Sequence, residues 1–163
     1  MSRICVEWEE AARSAPAGVR VVTTRTGVVL SRSGGALGKL LPLIRLGVGG
    51  PLGNGRQYWP WVTLPDVSAA FLFLVESRVS GPVNLCAPEQ ADVDTLVGEI
   101  ARALHRPAAL RVPAPVLRLL MRDLAEELLL SSQRMEPAVL LEAGFVWRHP
   151  TVAQAAQWVA GRD

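Results

Sequence analysis

The 163-residue sequence contains one lysine, one tyrosine, two histidines and two cysteines. The cysteines, Cys5 and Cys86, lie far apart and neither has the spacing of a metal ligand. We therefore expect two buried free thiols, as in a reducing compartment. The histidines are 44 positions apart and neither belongs to a Cys/His cluster, which excludes a zinc site. The sequence predicts no metal site.

Charge and hydropathy exclude two classes of partner. The net charge is only +2, and the arginines are dispersed without a basic block, so nucleic acid is not an expected partner. Every apolar run is broken by Gly, Pro or Arg well before the length of a membrane span. The N-terminus carries charge within its first ten residues, unlike a signal peptide. We expect a cytoplasmic protein that binds neither nucleic acid nor membrane.

Common catalytic arrangements are missing as well. The sequence has no Gly-x-Ser-x-Gly elbow for a nucleophilic serine. Its acidic residues stand singly or on faces that we expect to be solvated, so a paired-carboxylate hydrolase is excluded. A histidine at the end of a predicted helix, His105, is favoured there by the helix dipole and indicates a surface position. We therefore assign no catalytic residue.

Half of the residues are hydrophobic, which is enough for a buried core in one domain. Their spacing predicts helices over 2–15 and 36–46, from Pro65 onward and from Asp92 onward. Runs rich in β-branched residues predict strands at 19–30, 61–64, 83–87 and 109–112. Pro42 is expected to kink or split its helix. Alternation of this kind indicates an α/β fold with a partial parallel sheet.

The C-terminal part is dominated by helical patterns. A leucine ridge at 117–129 predicts one helix, and Pro137 begins another that Gly144 ends. Thr151 is expected to cap a terminal helix. We therefore predict a sheet-containing domain over residues 1–112 and a small helical cap over 113–163.

The most distinctive segment runs from Gly47 to Asp66. Glycines fill its first half, and Tyr58, Trp59 and Trp61 fill its second half. Glycine allows tight turns and close approach of the backbone to a ligand. The segment is therefore either the rim of a binding site or an elaborate turn. Asp66 follows where the next helix should begin, and a carboxylate there is favoured by free N–H groups, so we predict a structural role for it.

The pattern "GxGGPLGxGxQxxxWVxxxD" of this segment resembles the substrate-binding half of an atypical short-chain dehydrogenase/reductase. The group it resembles is the epimerase-family proteins, which are related to nucleotide-sugar epimerases and belong to the NAD-dependent epimerase/dehydratase superfamily. "WExAA…RVVxxRxGVVL" and "GPVNLxAP" extend the resemblance upstream and downstream. "RPAALRVPAPVLRLL", "LLLSSQRMEP" and "LLEAGFVWRHPT" match the helical domain of unknown function that ends these proteins.

The resemblance implies a Rossmann-like fold, NAD or NADP as cofactor, and a small-molecule substrate, for which a sugar-derived compound is one candidate. It places the strand end at Arg25, Gly27 and Val28 beside the nicotinamide end of the cofactor. Six further positions are implied to contact substrate: Gly53, Gly55, Gln57, Trp59, Trp61 and Asn84.

Two departures from the family limit what the chain is expected to do. No glycine-rich pyrophosphate loop follows a strand, and the single tyrosine and single lysine cannot form a Tyr-x-x-x-Lys pair. The family places both features upstream, so the chain resembles a C-terminal half, expected to be inactive alone and to bind NAD(P)H weakly. Trp59 stands where nucleotide-sugar members carry a phosphate-binding arginine, which argues against a nucleotide sugar as substrate.

Two alternatives remain open. The chain is also compatible with a non-enzymatic module, from a truncated or split gene, that binds a ligand or partner. An interaction module built on the leucine-rich helices of 116–130 is the second alternative. In the half-enzyme hypothesis, the sheet edge and the pocket side of the aromatic segment are uncovered. We then expect the isolated chain to self-associate or to be poorly soluble, and a partner that carries the cofactor-binding half to rescue it.

Overall fold

The computed structural model describes residues 3–47, 49–50, 55–107 and 132–161. Its helices are α1 (Arg3–Arg13), α2 (Gly35–Arg45), α3 (Leu64–Glu76), α4 (Val93–Ala103), α5 (Ala138–Glu142) and α6 (Val152–Val159). Its strands are β1 (Val22–Thr26), β2 (Val28–Leu30), β3 (Tyr58–Trp59), β4 (Trp61–Thr63), β5 (Gly81–Leu85) and β6 (Ala91–Asp92). No helix in these ranges has the length and apolar character needed to cross a membrane.

The sheet is built from short parallel pairings, as the α/β pattern predicts. β1 pairs in parallel with β5, and β2 pairs in parallel with β4. β3 and β6 form a short antiparallel pair. The predicted α/β, Rossmann-like fold class is therefore confirmed.

One feature of this sheet was not predicted, because residues 19–30 were expected to form a continuous strand. The strand changes partner at Gly27, whose N–H donates to the Leu85 carbonyl at 3.0 Å. The next N–H, of Val28, donates to the Pro60 carbonyl at 2.6 Å. A Cβ at Gly27 would overlap the Pro60 carbonyl. Glycine therefore permits the close approach at which the strand passes from one partner to the other.

The larger core lies between α2, α4 and α6. The apolar stripe of α4 recurs at intervals of three and four residues and packs on α6. Trp59 and Trp61 are part of the same cluster, together with Leu37, Leu40, Leu41, Ile44, Leu96, Ile100, Val152 and Val159. The terminal helix is thus held to the sheet-containing part of the chain by a shared apolar core.

A second core joins β5 and α3 to the C-terminal segment. Leu74, Val83 and Leu85 pack there with Leu140, Phe145 and Trp147. The Phe145 and Trp147 rings meet edge to face, with centroids 4.9 Å apart. The Trp147 indole N–H also donates to the Cys86 carbonyl at 3.1 Å. The residues after Gly144 therefore serve as packing residues for the end of β5.

Several expectations are changed by the structure. Pro42 lies within one continuous helix, so the helix is not split there. Cys5 is exposed, and only Cys86 is a buried thiol. The predicted apolar side of α1 is uncovered, because no residue of that helix is buried. The predicted strand at 109–112, the leucine-rich helix, the domain boundary at 112 and Gly53 all lie outside the described residues.

The ends of the helices follow the sequence signals closely. Thr151 caps α6 in a capping box with Gln154. Gly144 follows α5 with φ +79°, the left-handed conformation that glycine adopts without strain. His105 occupies the equivalent position after α4 with φ +53°. The cap of α3 is Thr63, so Asp66 lies in the first turn rather than at the cap itself.

Candidate functional site

A surface cleft of about 530 Å³ lies beside Arg25. It is bounded by α1, by β1 and by an extended segment of residues 132–136, which we call the C-terminal strap. Its lining residues are Cys5, Trp8, Glu9, Thr23, Thr24, Arg25, Thr26, Gln133 and Met135. The cleft is thus shared between the first helix, the first strand and the C-terminal part of the chain.

The two charges in this lining are paired with each other. The Arg25 guanidinium donates to the Glu9 carboxylate from Nε at 2.7 Å and from Nη2 at 2.9 Å. The hydrogen bond from Arg25 lowers the pKa of Glu9, and the same bond raises the pKa of Arg25. Arg13 adds a third hydrogen bond to Glu9 at 3.1 Å. The Arg25 side chain of β1 therefore holds α1 in place through Glu9, and both residues line the cleft.

The C-terminal strap crosses the carboxyl end of the β1–β5 pair. Asn84 donates from Nδ2 to the Glu136 carbonyl at 3.0 Å. The Cys86 thiol donates to the Met135 carbonyl at 3.4 Å. Ligands of open α/β sheets bind outside the carboxyl ends of the strands, which is the position that the strap covers. Asn84 therefore contacts the strap itself, and a role in substrate binding stays a prediction.

The other end of the strap is attached to β3. The Tyr58 N–H donates to the Ser132 hydroxyl at 3.1 Å, and the Gln133 N–H donates to the Tyr58 carbonyl at 3.0 Å. The Arg134 guanidinium lies over the Tyr58 ring, 4.0 Å from its centroid. Arg134 does not line the cleft, whereas Gln133 and Met135 on either side of it do. This is the alternation of an extended segment.

The Cys86 thiol, which contacts the strap, is expected to have low reactivity. Burial, and secondarily the negative charge of Glu136, raise the pKa of Cys86 to about 12. Because the thiolate is the reactive form, Cys86 should react very slowly at neutral pH. Cys5 is exposed and lines the cleft, which makes it the accessible thiol of the pair.

The end of the glycine-rich segment is held by α4. The Gly55 carbonyl accepts from the Asp94 N–H at 3.0 Å, and the Gln57 carbonyl accepts from the Val93 N–H at 3.0 Å. Gly55 has φ +76°, and a Cβ there would overlap the Asp94 carboxylate. The structure therefore explains this glycine by backbone conformation and packing. Substrate contact by Gly55 and Gln57 remains a prediction.

Trp59 and Trp61 lie inside the protein rather than on an uncovered pocket wall. Their exposed fractions are 4% and 1%. Among the described residues, neither indole N–H has a hydrogen-bond partner. Both rings instead fill the core against α2 and α4. Uncovered apolar side chains lie on α1, where Trp8 is 71% exposed, and on α3, where Leu72 and Val75 are 59% and 72% exposed.

A buried polar cluster at the start of α3 was not predicted from sequence. The Asp66 carboxylate accepts from the Thr63 hydroxyl at 2.8 Å and from the Arg148 N–H at 2.7 Å. It also accepts from the His149 N–H at 3.2 Å. The His149 ring nitrogen Nδ1 lies 3.0 Å from the Thr63 hydroxyl. A lone histidine 83 positions away carries no spacing signal, so only the fold reveals this contact.

The predicted site residues therefore fall into two groups. Strand register places Arg25 opposite Asn84 and Val28 opposite Trp61. Gly55 and Gln57 are held instead on the N-terminal end of α4.

The described part of the chain contains no cluster of His, Cys, Asp and Glu that could hold a metal ion.

Comparison with known proteins places this geometry in a family. A family model described as a domain of unknown function, DUF1731, matches residues 112–159. An epimerase family protein from Mycobacterium bovis is 40% identical over 164 aligned residues, which cover 99% of this chain and 54% of that protein. The chain spans about half the length of the curated relatives that it matches.

Solved structures give the same relationship. A crystal structure of a human epimerase family protein with NADPH is 34% identical and superposes with a TM-score of 0.88, over 96% of this chain and 53% of that one. A nucleoside-diphosphate sugar epimerase from Corynebacterium glutamicum is 30% identical with a TM-score of 0.68, over 97% of this chain and 30% of that one. The chain therefore corresponds to the C-terminal half of an epimerase family protein.

Proposed function

We propose that this chain is the substrate-binding portion of an NAD(P)-dependent oxidoreductase of the epimerase family. It acts together with a cofactor-binding half, carried on the same polypeptide or on a partner. The observation that carries the proposal is the uncovered junction of α1 and β1. No residue of α1 is buried, and the described residues pair β1 with β5 alone.

The exposed apolar side chains and the strand edge at this junction are typical of a surface that is buried in a larger protein. Ile4, Val6 and Trp8 of α1 are all exposed, although large exposed apolar groups favour association. Within the described ranges, the edge of β1 away from β5 has no partner strand, so it offers N–H and C=O groups to a further strand. A half that contributes a parallel strand and an apolar face would satisfy both requirements together. The length of the related proteins, about twice that of this chain, supports such an occupant.

The cofactor belongs mainly to that other half. A dinucleotide needs a glycine loop at a helix N-terminus to hold its pyrophosphate. Of the predicted cofactor residues, Arg25 is engaged by Glu9, and Gly27 packs against the Pro60 carbonyl. These residues do not fit the pyrophosphate. The chain alone should therefore bind NAD(P)H weakly and be inactive, and its own contribution is limited to the nicotinamide end and the substrate.

Reconstitution tests the proposal. The chain would be co-expressed with the N-terminal half of a related epimerase family protein, and the product separated by size-exclusion chromatography. We expect a one-to-one complex that binds NADPH, measured by calorimetry, whereas the chain alone shows no saturable binding at micromolar concentrations. Micromolar binding of NADPH by the chain alone, or failure of the halves to associate, would contradict the proposal. A variant with Ile4→Glu should prevent assembly, and Val146→Glu, at an exposed position after α5, is its matched control.

A further inference from the structure

Packing in the core does not explain the position of the C-terminal strap. It has an extended conformation between β3 and β5, and each of its ends is tied to one of them. It also lies within the residues matched by a domain of unknown function. If the strap only covered the hydrophobic core, its side chains would be buried. Instead, Gln133 is exposed and Met135 is half-buried. Both line the cleft.

The cleft beside the strap is lined by apolar groups, neutral polar groups and one pair of opposite charges. Its apolar groups are the Trp8 indole and the Met135 thioether, and its neutral polar groups include the Gln133 amide and the hydroxyls of three threonines. Its two charges, Glu9 and Arg25, already satisfy each other through two hydrogen bonds. Among the described lining residues, the only cation is therefore already paired with a carboxylate. A diphosphate would have to compete with the Glu9 carboxylate for the charge of the Arg25 guanidinium.

We propose that the C-terminal strap is one wall of the substrate site and that Gln133 and Met135 select an uncharged, hydroxyl-bearing ligand over a nucleoside-diphosphate sugar. The inference rests on the proposed function, because it takes the cleft beside Arg25 to be the substrate cleft. It assigns a role to the domain of unknown function: that domain supplies part of the specificity surface. Met135 contacts the apolar face of the ligand, and Gln133 provides one donor and one acceptor for its hydroxyl groups.

Cys5 provides a direct measure of occupancy. Its thiol lines the cleft and is exposed, whereas Cys86 is buried with a raised pKa, so N-ethylmaleimide should modify Cys5 selectively. The modification rate would be followed by mass spectrometry in the presence of phenyl β-glucoside or of UDP-glucose at equal concentration. The two probes share a sugar and differ in carrying a neutral aromatic group or a nucleoside diphosphate. We expect phenyl β-glucoside to slow the modification and UDP-glucose to have little effect.

Strap variants then test the two named residues. Met135→Ala and Gln133→Ala should each weaken protection by phenyl β-glucoside about fivefold, the effect of losing one good contact. Arg134→Ala is the matched control, because that side chain lies on Tyr58 and outside the cleft. Thermal melting of all three variants verifies that they are folded.

The outcomes are decisive in either direction. Stronger protection by UDP-glucose, no protection by either probe, or an equal loss in Arg134→Ala would each overturn the inference. The measurement uses the chain alone and needs no cofactor. Phenyl β-glucoside could protect Cys5 even if the co-expressed halves do not bind NADPH. That result would support the ligand cleft and reject only the oxidoreductase assignment.

Discussion

Asp66 and His149 are joined by a hydrogen bond, although 83 positions separate them in the chain. The His149 N–H donates to the Asp66 carboxylate at 3.2 Å, and the Arg148 N–H donates to the same group at 2.7 Å. The carboxylate is only 1% exposed. It therefore connects the first turn of α3 to the segment that leads into α6.

Removing this carboxylate should cost more than the loss of a helix cap. Asp66→Ala leaves two backbone N–H groups and the Thr63 hydroxyl without their acceptor, so we expect a loss of about 3 kcal/mol in the free energy of unfolding. Asp92→Ala is the control, because Asp92 only caps α4 through the Thr95 N–H and should cost about 1 kcal/mol. Urea denaturation measures both. Equal losses in the two variants would reduce Asp66 to a cap, and loss of ligand binding with unchanged stability would make it a ligand group.

The hydrogen bonds of Asp66 show where sequence reasoning stops. The position of a carboxylate near the start of a helix is a local signal and predicts a structural role, because helix N-termini favour negative charge. Its actual partners come from residues 148 and 149, and no periodicity or spacing connects two segments so far apart. Local signals similarly predicted the ends of α5 and α6 at Gly144 and Thr151, where the chemistry depends on only four or five neighbouring residues.

The aromatic segment is a place where the sequence left two interpretations open. Adjacent glycines, tryptophans and a proline are compatible with a binding-site rim or with an elaborate turn, and in the structure both indoles lie in the core and Gly55 packs against Asp94. Glycine adjacent to aromatic residues is compatible with a ligand site and with close packing of backbone on side chain. Sequence alone does not distinguish these, because the difference depends on which element the segment packs against. Uncovered apolar side chains lie on α3 and on α1, and the amphipathic pattern of α1 is equally typical of a buried helix.

The Glu9–Arg25 pair should control how firmly α1 is held against β1. Glu9→Gln removes the charge that accepts both hydrogen bonds from Arg25, so hydrogen exchange of α1 amides should accelerate. The control is Glu7→Gln, because Glu7 pairs only with Arg3 on the same exposed helix surface. An equal acceleration in both variants would mean that α1 responds to its own charge pattern and not to the contact with β1.

The same contact should depend on pH in a definite direction. Pairing lowers the pKa of Glu9 below its ordinary value of 4.5. The stabilising contribution is therefore complete above that ordinary value and is lost as the pH falls through the lowered one. Exchange protection of α1, corrected for the intrinsic pH dependence of exchange, should decline below pH 4.5 in the parent chain. It should vary little in Glu9→Gln, and identical profiles would exclude the pair as the cause.

The ends of α4 and α5 offer a matched test of backbone strain. His105 and Gly144 occupy the same position after their helices, with φ +53° and +79°. His105→Gly should stabilise the protein by about 1 kcal/mol, because glycine adopts this conformation without steric cost. Gly144→Ala should destabilise it by a similar amount, and the added Cβ meets no atom within 4 Å, so packing does not contribute. Thermal or urea unfolding gives both values, and changes of the same sign would refute the strain argument.

Self-association is expected through the uncovered face of α1. Ile4 is 57% exposed on α1, and the described residues pair β1 with β5 alone, so burial of this side chain against a second copy removes apolar surface from water. Ile4→Glu should therefore shift the chain toward monomer in analytical ultracentrifugation. Val146→Glu adds the same charge at an 82% exposed position that lies on neither α1 nor β1, and it should leave the distribution unchanged. If the parent chain is a monomer at every concentration with two-state melting, α1 needs no partner, and the uncovered junction no longer supports a missing half.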